Sequence, residues 1–361
     1  MRIAVLTHGI SPFGYLYTEA FRHWEHEAQV FSLTPVPKKV CAEPVTVVGP
    51  GGFRPWDTPS RWPYLKAILP LRRAMRTYEP DVVFGVYMSS GGVLACLSGG
   101  RRAVVSAQGS DVNTRVGSRL WGMVFRWEAR RALFVHAVSE PLADKLVRDF
   151  RIPESQIVVA PIGVDTAALT YTEPASRPHA NRIICTRAHT AVYDQATPLR
   201  ALRRLKDRGV ESHVTFIDFR GAERTKAMVE EMDLRRRVDF RPPYTYDELP
   251  DVLAKADVYV SASRSDGTSL SLLEVLSTGT FPVVSDIEAN RAWVEDGKNG
   301  LLFPVGDDEA LADCLQRAFA DDALRARAAR LNRRIVCERG DLYDAAWKLL
   351  AAFEQHMDQE G

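Results

Sequence analysis

One run of this chain sets charged and hydrogen-bonding side chains at spacings that suit an anionic, hydroxylated ligand. It is the stretch at 263–286, SRSDGTSLSLLEVLSTGTFPVVSD. The apolar run at 256–261 leads into a small-residue turn, Asp266, Gly267, Thr268 and Ser269, and then Leu270, Leu272, Leu273 and Leu276 recur at helical spacing. This reads as strand, turn, helix. A helix that opens directly after a strand leaves its first N–H groups without intrahelical acceptors, and the positive end of its dipole points the same way, which together make a site for an anion. Glu274 follows Asp266 by eight positions, so one carboxylate stands at the mouth of the helix and a second about two turns in. Arg187, at the end of another apolar run, brings a fixed, fork-shaped cation able to take two phosphate oxygens at once.

The elements needed to hold these groups are legible as alternation. Val- and Ile-rich runs at 2–7, 81–87, 103–107, 133–139 and 156–160 alternate with helical patterns at 64–77 and 140–150, the first expected to be kinked or split by Pro70. Residues 166–181 lose the alternation and carry two prolines, which marks an inter-domain linker. Strand-like runs resume at 182–186, 213–218, 257–261 and 281–285, and a helical pattern closes the chain at 342–357. The expected layout is an α/β chain with a first Rossmann-like domain over 1–165, a linker over 166–181, a second Rossmann-like domain over 182–340 and a final helix over 341–361. At 361 residues with 46% apolar content, two cores are the default.

Net charge +1 gives no reason to expect a nucleic-acid partner. The balance is uneven, however: residues 1–170 hold 20 Lys and Arg against 14 Asp and Glu, a mild basic excess that reads either as ordinary surface variation or as a face for an anionic acceptor or membrane. The basic stripe at 71–76 admits the same two readings. Five dispersed cysteines lack metal-ligand spacing, so reduced thiols and no metal are expected. No apolar run has the length of a membrane span and no signal core is visible, which points to the cytoplasm, with peripheral contact at the inner face of the membrane as an option.

The run at 263–286 resembles the donor-binding signature of glycosyltransferase family 4, retaining enzymes of the GT-B fold in which two Glu separated by seven residues precede a Gly-x-Pro-Val-Val segment. Here Asp266 stands in the first acidic place, Glu274 in the second, and Gly279, Pro282, Val283 and Val284 complete the pattern with Phe281 inserted. The resemblance implies two Rossmann-like domains facing a cleft, with the C-terminal helix crossing back to the first. It implies that Gly267, Thr268, Ser269 and Leu270 hold a diphosphate, that Glu274 holds ribose hydroxyls, and that Asp266 lies near the donor sugar. The alternatives are a solvated helix face for Glu274, a turn or cap residue for Asp266 and a surface ion pair for Arg187. The family's Lys a few residues beyond the Arg is absent, with Tyr193 roughly in its place.

GlnGlySerAspVal at 108–112 resembles the family's His-Gly-Ser-Asp loop, with Gln108 replacing the His. An amide donates to a sugar hydroxyl or phosphate but cannot act as a base near neutral pH. Asp111 would orient substrate or cap the following turn. The connection from Thr7 to Gly14 corresponds to the family's glycine-rich loop, making Gly14 a donor contact, and Arg241 and Pro242 fall in the loop that reads the nucleobase. His8 and His189 read as structural. The expected activity is transfer of a hexosyl unit from a nucleotide diphosphate sugar, UDP- or GDP-linked, to a hydroxyl acceptor, lipid-linked among other options, in cell-surface glycan, glycolipid or secondary-metabolite synthesis. The co-substrate would be the nucleotide sugar, with no cofactor and no metal. Competing readings are a GT-B sugar-nucleotide epimerase, which needs acid and base groups that are scarce here, and a non-catalytic sugar-nucleotide-binding protein.

Overall fold

The structure, a computed structural model, describes residues 1–8, 11–34, 45–49, 62–99, 102–174, 180–219 and 221–359. The chain divides into two compact units, one formed by Met1–Ile162 together with Leu342–Gly361 and the other by Gly163–Asp341.

In the first unit, seven parallel strands lie in the order β3-β2-β1-β4-β5-β6-β7. They are β1 Arg2–Thr7, β2 Glu27–Ser32, β3 Thr46–Val47, β4 Val82–Val86, β5 Ala103–Ala107, β6 Ala132–Ala137 and β7 Ile157–Val159. The helices are α1 Pro12–His23, α2 Trp62–Tyr78, α3 Val93–Leu97, α4 Ser110–Asn113, α5 Arg119–Ala129 and α6 Glu140–Phe150. Strands β4 and β5 are buried at every position, as expected of a parallel sheet covered on both faces. The last helix of the chain, Leu342–Asp358, belongs to this unit, where Phe353 packs against Phe21, Phe84 and Phe134.

In the second unit, six parallel strands take the order β10-β9-β8-β11-β12-β13. These are β8 Arg182–Cys185, β9 His213–Ile217, β10 Val238–Arg241, β11 Val258–Ser261, β12 Phe281–Ser285 and β13 Leu301–Phe303. Its helices are α7 Ala196–Asp207, α8 Ala222–Glu231, α9 Leu249–Ala254, α10 Leu270–Thr278, α11 Glu288–Arg291, α12 Asp308–Ala320 and α13 Asp322–Arg339; the final helix above is α14. Two apolar clusters cover the sheet. One is built on Phe216, Phe281 and Phe303, the other on Tyr259, Leu273 and Leu276.

Both sheets reverse direction of growth at their middle. The chain builds outward from β1 through β2 and β3 and then returns to place β4 on the other side of β1; β8, β9, β10 and β11 repeat the move. Ligands of open parallel sheets bind beyond the carboxyl ends of the strands at such a reversal. Thr7 and Tyr87 stand there in the first unit, Arg187 and the turn after Ser261 in the second.

Two details differ from the sequence reading. Pro70 neither ends nor splits α2; it lies on the exposed side, where the carbonyl of Lys66 that loses its N–H partner is not sealed in the core. The stretch expected to open the linker at 166 is bound into the second unit, with Arg333 donating to the carbonyls of Thr166 and Leu169 and Thr172 N–H donating to Thr278 O. Residues 175–179 of that stretch lie outside the described residues.

Candidate functional site

In the second unit the turn after β11 closes on α10, which Ser269 caps by accepting from Leu272 N–H. The N–H groups of Leu270 and Ser271 have no acceptor within the helix by their position. Arg187, two residues beyond β8, reaches this end from the neighbouring strand. Its guanidinium donates to Ser269 Oγ at 3.1 Å and to Asp266 Oδ2 at 2.5 Å, and its Cζ lies over the Tyr193 ring, 3.9 Å from the centroid. Its buried Nε has no hydrogen-bond partner. The pair is largely enclosed, with side chains 10% and 14% exposed. Arg187 is thus neither a surface ion-pair residue nor an isolated phosphate clamp. The aromatic residue standing where a Lys was looked for is the plate that holds it in place.

Asp266 takes up the turn role that was one of its two readings. Its Oδ2 takes the Arg187 guanidinium and its Oδ1 accepts from Gly267 N–H at 2.9 Å, so it shapes the turn and offsets the arginine. An Asp is a methylene shorter than a Glu, which keeps its carboxylate against the turn. Glu274 is different. It is the fifth residue of α10, about 6 Å along the axis from the helix start at ~1.5 Å per residue, closer to the mouth than its distance from Asp266 suggests. Its carboxylate accepts no hydrogen bond among the described residues. Burial raises its pKa to about 7 against a pull downward from Arg187. Half-buried and without a donor among the described residues, the carboxylate is able to accept from a group outside the chain.

Arg241 ends β10 instead of lying in a loop, with its guanidinium 5.9 Å from the Tyr244 ring and Nη1 buried without a partner; Pro242 opens the connection that follows. Burial, with the charge of Glu274, raises the Tyr244 pKa, which puts this ring beside the same carboxylate. Nothing in the sequence had singled out Tyr244. His189 is satisfied on both nitrogens, by Thr225 Oγ1 and Ile217 O, as read from sequence.

In the first unit Asp111 does the capping job. It accepts from Met88, Gln108 and Gly109 N–H at 2.7, 3.1 and 3.0 Å, tying the loop after β5 to the π-helical turn Tyr87–Gly92 after β4. Both its oxygens are used on backbone; burial still lifts its pKa to about 6. That π-helical turn begins at Tyr87 with φ 68°, a conformation rare for a bulky residue, and Ser90 within it meets His8 Nε2 at 3.0 Å. Gly14 sits where a Cβ would come within 2.4 Å of Thr7 Cγ2, so its lack of a side chain lets α1 close onto β1. Gly9 and Ile10 of the same loop lie outside the described residues.

The orientation of Gln108 follows from a buried chain that the sequence reading missed. His136 Nε2 faces the Ala160 carbonyl at 2.8 Å and must carry the ring proton, which leaves Nδ1 as an acceptor for the Ser106 hydroxyl at 2.8 Å. Burial holds this imidazole neutral by lowering its pKa to about 4. With its proton committed, Ser106 can only accept from Gln108, whose Nε2 lies 2.5 Å away, with Tyr17 Oη at 3.5 Å. The other amide atom, Oε1, is buried and without a partner, as are Thr7 Oγ1 and Ser11 Oγ at the edge of the same sheet. Gln108 therefore holds an unpartnered acceptor inside the unit, with its donor end spent on Ser106, where sequence reasoning expected a donor for substrate. In the sequence Ser106 and His136 lie inside the apolar runs at 103–107 and 133–139, a pattern that marks buried strands and does not identify a polar chain.

Two doubly wound parallel units, each with its polar groups gathered at the strand reversal, define the GT-B class of α/β fold. Models of two families, glycosyl transferases group 1 and glycosyltransferase family 4, match residues 175–334 and 9–168, and the chain belongs to the family 4 glycosyltransferases. It is similar to D-inositol 3-phosphate glycosyltransferase of Corynebacterium urealyticum, 36% identical over 108 residues, 29% of this chain and 26% of the relative. It is also similar to phosphatidyl-myo-inositol mannosyltransferase of Mycobacterium leprae, 38% identical over 76 residues, 21% of this chain and 20% of that one. These alignments thus span only about a quarter of the curated relatives' length. Among solved structures, Anabaena Alr3699/HepE in complex with UDP and glucose superposes with a TM-score of 0.81 at 16% identity, covering 98% of this chain and 99% of that one. At that identity the likeness bears on the fold.

Proposed function

We propose that this protein is a retaining, metal-independent glycosyltransferase that moves a hexosyl unit from a nucleoside diphosphate sugar to a hydroxyl acceptor. The observation that carries the reading is the coincidence, at one strand reversal, of an N-terminal helix end, a caged arginine and a carboxylate with no donor of its own. Leu270 and Ser271 N–H would take diphosphate oxygens, Arg187 would meet the charge that develops as the diphosphate leaves, and Glu274 would accept from the vicinal hydroxyls of the ribose. Gln108 would accept from a substrate hydroxyl without taking its proton, which fits a transfer in which a donor phosphate oxygen receives the acceptor proton. The relatives whose names specify phosphatidylinositol or inositol phosphate support a polar, lipid-linked acceptor and peripheral contact with a membrane. No helix among the described residues is long and apolar enough to cross one.

The test begins with thermal shifts against UDP-, GDP-, ADP- and TDP-sugars, since a ligand at about 100 times its Kd adds about 2.7 kcal/mol to stability. Donor turnover with an acceptor panel, in the presence of a chelator, and the anomeric configuration of the product by NMR complete it. An inverted product overturns the retaining reading, loss of turnover on chelation the metal-independent one, and the absence of any shift across the panel the whole proposal.

A further inference from the structure

Helix α5 of the first unit is apolar on two faces, and only one of them is packed. Inward it buries Gly122, Phe125, Glu128 and Ala129, with Phe125 against Phe150 at 5.0 Å. Outward, Leu120, Met123, Val124 and Trp127 recur at i, i+3, i+4 and i+7, the spacing of a single stripe. Leu120 is 63% and Met123 57% exposed, and Val116 just before the helix is 47% exposed. Single exposed leucines are common on protein surfaces, but an ordered outward stripe is not.

The charges around the stripe indicate what covers it. Between Asn113 and Arg131 there are five arginines, Arg115, Arg119, Arg126, Arg130 and Arg131, and one acid, Glu128. Glu128 is fully buried, and burial, with the charge of Asp111, holds its carboxyl well above the usual range, so it offers no counter-charge outside. No carboxylate among the described residues pairs with Arg119, Arg130 or Arg131. Arg115 stacks on Trp121 at 4.8 Å and Arg131 on Trp127 at 5.0 Å. A protein interface excludes charge from its middle, whereas a lipid surface wants apolar side chains at acyl depth, indoles at the headgroups and cations at the phosphates.

We infer that α5 lies on an anionic lipid surface, with Leu120 and Met123 inserted between headgroups and Arg119, Arg130 and Arg131 on lipid phosphates. The inference rests on the peripheral-contact part of the proposed function and names the surface that makes it. It differs from the basic stripe of α2, the segment marked in the sequence, where Leu65 and Leu69 are also exposed.

Flotation with vesicles tests it. Wild-type protein is expected to bind vesicles of equimolar phosphatidylglycerol and phosphatidylcholine at about 0.1 M salt, and to be released at about 0.5 M salt or from phosphatidylcholine alone. The double variant Leu120→Ser/Met123→Ser is expected to bind about tenfold more weakly or worse, and Arg119→Glu/Arg130→Glu to lose its preference for anionic vesicles. All of these positions face water, so unchanged melting temperatures and unchanged thermal shifts with the sugar-nucleotide panel confirm intact folding and separate this test from that of the donor site. The inference is overturned if Leu120→Ser/Met123→Ser floats like wild type while Leu65→Ser/Leu69→Ser does not. It is equally overturned if the α5 variants change only the sedimentation mass, which would make the face a contact with a second copy. Failure of wild type to float at all refutes the membrane contact itself and leaves the donor reading standing.

Discussion

Replacing Glu274 by Gln should weaken donor binding and strengthen the fold at once. The carboxyl has a pKa near 7 in place of its ordinary 4.5, because burial disfavours its charge more than Arg187 favours it. Between those values the folded state holds a proton that the unfolded chain releases, so stability falls as pH rises from 4.5 to 7 and is level above. The gap corresponds to about 3 kcal/mol at pH 8, which the neutral Gln avoids; the gain of the variant should shrink on acidification and vanish below pH ~4.5. Binding runs the other way. If two ribose hydroxyls donate to the ionised form, wild-type affinity should weaken about tenfold at pH 6 and about a hundredfold at pH 5 relative to pH 8. Calorimetric titration with UDP-glucose, or with whichever donor of the panel gives the largest shift, reads this cleanly because the bridging diphosphate does not titrate in the range. Glu274→Gln should bind more weakly at pH 8 and show a flat profile. A wild-type affinity independent of pH, or the same slope in both proteins, would refute the assignment of Glu274 to the ligand.

Arg187→Ala should lower turnover by roughly 10²-fold or more, the usual loss for one preorganised charge stabiliser, and Arg187→Lys should recover little because a point charge cannot reach both Ser269 and Asp266; steady-state kinetics with saturating donor check both. Gly279→Ala should cost about 2 kcal/mol or more in urea unfolding, since φ there is 83° and a Cβ would meet Tyr171 Cε2 at 2.8 Å and Thr172 O at 2.9 Å. Ser106→Ala frees the Gln108 amide to rotate and should reduce kcat more than the KM for donor, whereas His136→Gln, able to face both neighbours, should retain more activity; equal losses in both would sever Gln108 from the chain behind it.

What the sequence revealed and what it hid divide along the distance between interacting residues. The start of α10 was legible because strand, turn, cap and helix occupy consecutive residues with local preferences, and β12 at Phe281–Ser285 and α6 at Glu140–Phe150 have the bounds read from the pattern. Strand β2, Glu27–Ser32, was not seen, because EAQVFS mixes polar and apolar residues in a position that burial from neighbouring helices decides. The Arg187–Asp266 pair joins residues 79 apart through the adjacency of β8 and β11, and no local propensity encodes it. Asp111 and Gln108 show the limit most sharply. The loop resemblance set Gln108 toward substrate and left Asp111 between substrate and a turn, yet Asp111 is used on Met88 N–H, 23 residues back, and the polarity of Gln108 is dictated by His136, itself oriented by Ala160.

That division bears on how far the substitutions at the site alter its chemistry. Gln for the usual His removes a titratable group, but the tautomer imposed by Ala160 fixes which end of the amide is left unpaired, so the first unit keeps one directed acceptor whose protonation never changes. Tyr for the usual Lys removes a cation, but the ring at 3.9 Å immobilises the arginine that remains, and Asp266, held short against the turn, keeps that arginine charged and aimed at the helix start. The cost is that Arg187 must trade part of its hold on Asp266 for any phosphate it receives. In the proposed reading charge stabilisation would therefore depend on one arginine and a helix end, and on hydroxyl contacts of Glu274 to seat the diphosphate within their reach.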